Sequence, residues 1–215
     1  MSAAPFAIDV VSDVVCPWCF LGKRRLEQAL AARPELPVLV RWRPFQLDPT
    51  IPPGGMARNE YITRKFGSSS RLADAHARVG AFGRDEGIDL GFGDNERSPN
   101  TPDAHRLIRH ATEQGRGEEM VEALFSAYFE QGRDIGDHSV LAELAGSAGL
   151  DAATTAWLET DEDAQAVRDE IRMAQELGVQ GVPFFIVAGK YALSGAQSAE
   201  VIGQVIDKAL AEQGS

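Results

Sequence analysis

Cysteine is scarce in this chain: 215 residues contain two. A secreted scaffold stapled by disulfides carries more, at wider spacing, and a chain this long can bury a core without them. No apolar run approaches the ~20 residues needed to span a bilayer. The start, Met1-Ser2-Ala3-Ala4-Pro5, shows no basic segment leading into an apolar leader. Positive charge is in deficit, with 21 Lys and Arg against 32 Asp and Glu and a formal net charge of −11. An acidic balance repels phosphate backbones and anionic lipid, which disfavours nucleic acid and membrane surfaces as partners. Internal repeats and low-complexity tracts are also missing. These absences predict a cytoplasmic protein built as one domain, or as one domain carrying a large insertion.

The two cysteines that are present stand together, as Cys16-Pro17-Trp18-Cys19. Before them, Phe6-Ala7-Ile8-Asp9-Val10-Val11 reads as a buried strand of a parallel sheet. After them, Leu26, Ala29 and Leu30 fall at helical spacing opposite a polar face, and Arg33-Pro34 ends the helix. A second strand, Val38-Leu39-Val40-Arg41-Trp42-Arg43, closes a right-handed βαβ unit. The chain then turns helical, with segments predicted at 58–66, 70–86, 101–114, 118–131, 139–148 and 152–159 and a Gly-rich ordered loop at 88–99. The acidic run Thr160-Asp161-Glu162-Asp163 suits the start of a helix ending at Gly178. Pro183 to Val187 and Tyr191 to Leu193 read as a hairpin, followed by an amphipathic helix over 198–212. The order is β-α-β, a helical insertion, then α-β-β-α.

Placement gives the cysteines different roles. Cys16 sits where a strand turns into a helix, a position that directs helix N–H groups and the positive dipole end at its sulfur and favours the thiolate, the attacking species in disulfide exchange. Cys19 lies one turn deeper and can resolve a mixed disulfide. Pro17 fits the first helical turn, where its missing N–H has no role, and Trp18 offers an apolar contact beside Cys16. Half of a zinc site is the competing explanation of two such cysteines. No second pair completes it, and His76, His105, His110 and His138 show no ligand spacing to it, so no metal is expected. Far along the chain, Gly178-Val179-Gln180-Gly181-Val182-Pro183 places a proline at a strand entry, where a Val-Pro bond adopts cis at modest cost.

Taken together, Asp13-Val14-Val15-Cys16-Pro17-Trp18-Cys19, Trp42-Arg43-Pro44-Phe45, Thr101-Pro102-Asp103-Ala104-His105-Arg106-Leu107, Gly181-Val182-Pro183-Phe184-Phe185 and Ser194-Gly195-Ala196-Gln197 resemble the DsbA-like branch of the thioredoxin superfamily. Within it the likeness is nearest to cytoplasmic FrnE-like members. The resemblance implies an α/β, thioredoxin-like fold, formed by residues 1–52 and 160–215, with a large all-helical insertion at 53–159. It implies Cys16 as nucleophile, Cys19 as resolving thiol and a cis Pro183 against them, with Pro17, Trp18, Val182, His105 and Gln197 as substrate contacts. The implied activity is thiol–disulfide exchange with protein or small-molecule thiols, needing no cofactor beyond the cysteine pair, with glutathione a candidate co-substrate. FrnE-like proteins that carry a further cysteine pair have no counterpart to it here.

Two alternatives stay open on the residues. Kappa-class glutathione transferases and 2-hydroxychromene-2-carboxylate isomerases resemble this architecture but carry Ser at the first cysteine position and tend to place an Asp-Arg pair near the N-terminus of the final helix, where this chain reads Gly195-Ala196-Gln197-Ser198. A redox-controlled binding or chaperone protein is the other. The remaining features read more plainly. Lys23-Arg24-Arg25 predicts a solvated face. Phe125, Tyr128 and Phe129 predict insertion core, and Ser198 predicts a helix cap. Asp9 predicts a partly buried carboxylate at a strand edge, with proton handling as its sharper role. Arg106, Arg109 and His110 share helical spacing with His105 and are candidates to face the cleft.

Overall fold

Strand β1 (Phe6–Ser12) is apolar apart from Asp9 and Ser12 and becomes one of the two inner strands of the sheet. A short turn leads into helix α1 (Pro17–Ala31), and β2 (Val38–Pro44) returns parallel to β1, in register from Phe6 opposite Val38 to Ser12 opposite Pro44. On the other edge of β1 lies β5 (Phe184–Val187), antiparallel, followed by β6 (Tyr191–Ser194), so the sheet order is β2-β1-β5-β6. This is a computed structural model, and it describes residues 6–67, 69–90 and 95–213. Residues 1–5, on which the expectation of no leader rests, lie outside that range, as do 91–94 of the predicted loop.

Between β2 and β5 run helices α2 (Arg58–Phe66), α3 (Ser69–Asp85), α4 (Pro102–Glu113), α5 (Gly117–Phe129), α6 (His138–Ser147), α7 (Ala153–Leu158) and α8 (Ala164–Glu176). Helix α9 (Ala199–Gln213) closes the chain. The α/β architecture with a long helical insertion is therefore the one the resemblance implies. Two local expectations need correction. The stretch expected as loop contains β4 (Arg97–Ser98), which pairs antiparallel with β3 (Met56–Ala57), a ribbon too short to give a strand pattern in sequence. Helix α8 starts after the acidic run, because Asp163 takes a left-handed φ of 61° and gives its carboxylate to Arg109, 2.8 Å away.

Alternation along β1 divides the core. Ile8 and Val10 meet Leu26 and Ala29 of α1, Phe185 of β5 and Ile202 and Ile206 of α9. Val11 faces the other way, onto Phe45, Ala174 of α8 and Val179. A further core joins α1 to the helical segment: Phe20, fully buried, stacks on Phe125 of α5 with ring centroids 5.1 Å apart. Burial of a side chain that size contributes about 1.5–3 kcal/mol.

The charged side of α1 is a joint, and the expected solvated face is incorrect. Lys23 is 2% exposed and pairs with Glu118 and Glu122 of α5, each at 2.8 Å, as well as with Glu27. Arg24 reaches Glu122 too, and Arg25 bonds Glu86 at 2.9 Å and the Ala196 carbonyl at 2.7 Å. Glu118 and Glu122 stand four apart on one helix, so two carboxylates meet the cationic face together. On its inner side α1 approaches the loop before β5 so closely that Gly22 is required. A Cβ there would lie 2.9 Å from Pro183 Cγ and 3.2 Å from Phe185 Cζ. Gly22→Ala is expected to lower stability by about 1–3 kcal/mol, read as a reduced urea midpoint at unchanged slope. An unchanged midpoint would mean that α1 is free to move off Pro183.

Candidate active site

Cys16 caps α1 in an extended conformation, φ −93° and ψ 112°, and Pro17 takes the first helical position. Both cysteines are free thiols. Cys19 is 1% exposed, as expected for the inner thiol, and Cys16 is itself only 4% exposed. It reaches solvent through a cavity of about 360 Å³, whose floor is formed by Cys16, Pro17 and Trp18. The helix end does not hydrogen-bond the Cys16 side chain. The thiol instead lies 3.5 Å from the Val182 carbonyl oxygen, which is placed to accept its proton in a hydrogen bond.

The Val182–Pro183 peptide bond is cis. Pro183 is buried against α1, its carbonyl accepts from Gly195 N–H at 2.9 Å, and Val182 contributes to the cavity wall. Trp18 also lines the cavity and packs beside Phe82, with centroids 6.0 Å apart. Cys16, Pro17, Trp18 and Val182 are thus brought together, with Pro183 directly behind.

The inner thiol is held protonated. Burial first, then the adjoining Cys16, pushes the Cys19 thiol well above its ordinary value of 9.0, against weaker opposing effects of the Ser12 hydroxyl and the Asp13 amide. Asp13 is 1% exposed and braces the turn between β1 and α1. Its carboxyl accepts from Leu47 N–H at 2.8 Å and its backbone carbonyl accepts from Cys16 N–H at 3.0 Å.

His105 and Gln197 do not join this group. His105 is buried, with Nε2 3.0 Å from the Phe45 carbonyl oxygen and 3.4 Å from Asp13 Oδ1, so its ring points at the back of the cysteine turn and not into the cavity. The expected substrate contact is a strut. Gln197 turns its amide back to donate to the Ser194 carbonyl at 2.7 Å and lies off the cavity wall. The neighbours of His105 on α4 are also engaged elsewhere. Arg106 bonds Asp103 and the Glu162 carbonyl, Arg109 bonds Asp163 and Glu170, and His110 stacks on Trp157 at 4.2 Å. Asp9 pairs with Arg41 and Arg43 across β1 and β2, an electrostatic tie in place of proton handling. Ser198 caps α9 by accepting from Val201 N–H at 3.3 Å.

Residues of the cavity that sequence reasoning missed come from α2, β4 and the preceding segment: Leu47, Arg58, Tyr61, Asn95 and Ser98. No local pattern marks them, because only folding of the insertion carries them to Cys16. Tyr128 and Phe129, expected as core, are buried and also line the cavity. Among the described residues, no group of three or more His, Cys, Asp or Glu side chains is gathered to hold a metal ion. Nor is any helix long and apolar enough to cross a membrane.

Residues 7–207 match the family model of the DSBA-like thioredoxin domain. The chain belongs to that family. The family is that of DsbA-like thioredoxin-fold oxidoreductases, and relatives cover nearly the whole length of the chain. The crystal structure of the probable DsbA oxidoreductase SCO1869 from Streptomyces coelicolor superposes with a TM-score of 0.87 at 37% identity, over 96% of this chain and 91% of that one. YwbO of Bacillus subtilis (strain 168) is 30% identical over 201 residues, 93% of this chain and 94% of its own. The cytosolic disulfide reductase DsbM from Pseudomonas aeruginosa, in a structure with GSH, shares the fold with a TM-score of 0.63 at 22% identity, over 96% and 98% of the two chains.

Two outcomes follow for the thiols of this DSBA-like domain. Iodoacetamide applied to the folded, reduced protein is expected to alkylate Cys16 first, as peptide mapping reads, since Cys16 alone of the two borders the cavity; earlier labelling of Cys19 would reverse the roles. The raised Cys19 pKa also sets a pH dependence. The unfolded chain begins to lose the Cys19 proton near its ordinary value of 9.0 while the folded chain retains it, so stability of the reduced protein is expected to fall as pH rises above about 9. Urea midpoints at pH 8 and pH 10 should show a smaller drop for Cys19→Ala than for the parent.

Proposed function

We propose that the protein is a thiol–disulfide oxidoreductase in which Cys16 forms the mixed disulfide with substrate and Cys19 resolves it. The observation that carries this reading is the asymmetry of the pair: one sulfur at the floor of a cavity beside Val182 and Pro183, the other sealed one helical turn behind it. In the reducing direction, the Cys16 thiolate attacks one sulfur of a substrate disulfide. The substrate S–S bond breaks, a thiolate leaves and takes up a proton, and Cys16 is joined to the remaining half. Cys19 then gives up its proton and attacks the Cys16 sulfur, which releases the second thiol and leaves a Cys16–Cys19 disulfide. Two electrons pass from the pair to the substrate, and the oxidising direction is the reverse. High resistance of Cys19 to ionisation keeps it silent until the mixed disulfide forms beside it.

A cysteine at position 16 favours exchange over the isomerase chemistry of the related branch, which its resemblance ties to a serine there. Glutathione is the small thiol we propose for returning the pair to its working state, in line with the GSH held by DsbM. A reducing cytoplasm is the compartment in which such a pair is cycled in place of serving as a structural staple.

Cys16→Ser is expected to abolish reduction of an insulin or hydroxyethyl disulfide substrate. Cys19→Ser should instead accumulate a mixed disulfide at Cys16, visible as a mass adduct. Loss of neither step would remove the reading. Pro17 and Trp18 supply no positive charge between the cysteines, and the polar atom facing Cys16 is a carbonyl oxygen. The couple is therefore expected to fall short of the strongest oxidants, at about −180 to −270 mV against glutathione buffers. A value near about −120 mV, that of a strong oxidant, would mean that a cation of the cavity wall reaches Cys16.

A further inference from the structure

The cavity above Cys16 differs chemically from the rest of the molecule. The protein carries 32 acidic residues, yet among the described residues no Asp or Glu lines this space, while Arg58, Lys65 and His76 do. Its body is apolar and partly aromatic, formed by Trp18, Ile51, Tyr61, Ile62, Val79 and Phe129. At about 360 Å³ it lies at the small end of ligand sites, enough for a molecule of one or two rings.

One part of the wall is polar. Arg58 Nη1 donates to Tyr128 Oη at 3.2 Å, and among the described residues no carboxylate pairs with this guanidinium. Lys65, by contrast, has Asp48 at 3.6 Å. Asn95 and Ser98, 7% and 3% exposed, line the same cavity, and each keeps a buried side-chain oxygen with no hydrogen-bond partner among the described residues. Burial and the nearby Arg58 push His76 down to about 4, so it is neutral at pH 7 and leaves Arg58 as the principal charge that Asp48 does not offset. A half-buried guanidinium with no carboxylate partner among the described residues is costly, and its planar fork matches a carboxylate.

We propose that this cavity binds a small thiol or disulfide with an apolar, ring-sized body and a carboxylate, and that Arg58 receives the carboxylate while Cys16 meets the sulfur. The inference rests on the exchange chemistry proposed above and gives it a substrate class. Helices α2, α3 and α5 and strand β4 contribute walls to the space, which suits a compact ligand. The chemical step is unchanged: Cys16 attacks the ligand disulfide, one ring thiol leaves with a proton, and Cys19 releases the other, so two electrons pass from the cysteine pair and no further reactant enters.

The test uses the full-length reduced protein and two probes, 5,5′-dithiobis(2-nitrobenzoic acid), an aromatic disulfide with carboxylates, and neutral hydroxyethyl disulfide. Rates are normalised to those of the same protein unfolded in urea, which removes the intrinsic reactivity of each probe. The folded protein is expected to react with the aromatic acid in a saturable manner and to prefer it over the neutral probe. Arg58→Gln is expected to reduce that preference by about tenfold or more, the worth of one charge-assisted hydrogen bond. Ile62→Trp, which fills the cavity from α2, should reduce it as well, with urea midpoints showing that both variants fold. Exchange with both probes but without saturation, preference or any effect of Arg58→Gln would overturn the inference and leave the exchange reading standing. Failure to exchange with either probe would overturn that reading itself. A disulfide-bonded peptide that saturates at lower concentration than the aromatic acid, with no dependence on Arg58, would assign the cavity to protein substrates instead.

Discussion

The turn that carries the two cysteines is held by one buried carboxyl group. Asp13 accepts from Leu47 N–H beyond β2 at 2.8 Å, sits 3.4 Å from His105 Nε2 on α4, and through its own carbonyl fixes Cys16 N–H at 3.0 Å. Alongside it, Phe45 N–H donates to the Ser12 carbonyl at 2.9 Å, and the Phe45 carbonyl accepts from His105 at 3.0 Å. A carboxyl removed from water is costly unless partners meet it; Leu47 N–H bonds its Oδ2, while its Oδ1 has the His105 ring nearby but no hydrogen bond among the described residues. The ends of β1 and β2 and the first turn of α4 must therefore come together, and the position of Cys16 follows from where they meet. Three of the segments that carry the family likeness, around Asp13, Phe45 and His105, are the three parts of this one junction.

Charge is organised by the same economy of partners. The chain is strongly acidic, yet its cations are mostly internal ties. Lys23, Arg24 and Arg25 fasten α1 to α5 and to the end of α3, Arg41 and Arg43 clamp Asp9, and Arg106 and Arg109 bind the approach to α8. Arg58, on the cavity wall, is not in such a pair among the described residues, and its guanidinium donates to the Tyr128 hydroxyl. An apolar cavity with its polar edge beside that residue, above a reactive sulfur, is where the helical insertion adds something that the sheet and α1 do not contain. The sheet side contributes Cys16, Cys19, Val182 and Pro183. The insertion supplies most of the walls.

Much of this was legible in the residues because it is local. A strand pattern, a proline at the first helical turn and two cysteines three apart encode the β1–α1 turn within a few positions, where hydrophobic period and backbone restriction act directly. The proline at the entry to β5 is legible for the same reason. What failed in each case depended on a distant partner. The basic run of α1 reads as solvated unless Glu118 and Glu122 are known to face it, and Gln197 bonds back to Ser194 instead of reaching the cavity. The two-residue β3–β4 ribbon is too short to impose a period of two.

By itself the sequence determined the order of the four main-sheet strands and the placement of Cys16 at a helix start with Cys19 behind it, since these are set by side chains within a turn of one another. Tertiary structure alone decided that His105 braces the cysteine turn from behind, that Cys16 is nearly buried, and that its access runs through a basic-edged, apolar cavity. Those properties arise from packing between segments tens of residues apart, where burial and charge pairing, and no local pattern, fix which face of a helix looks inward.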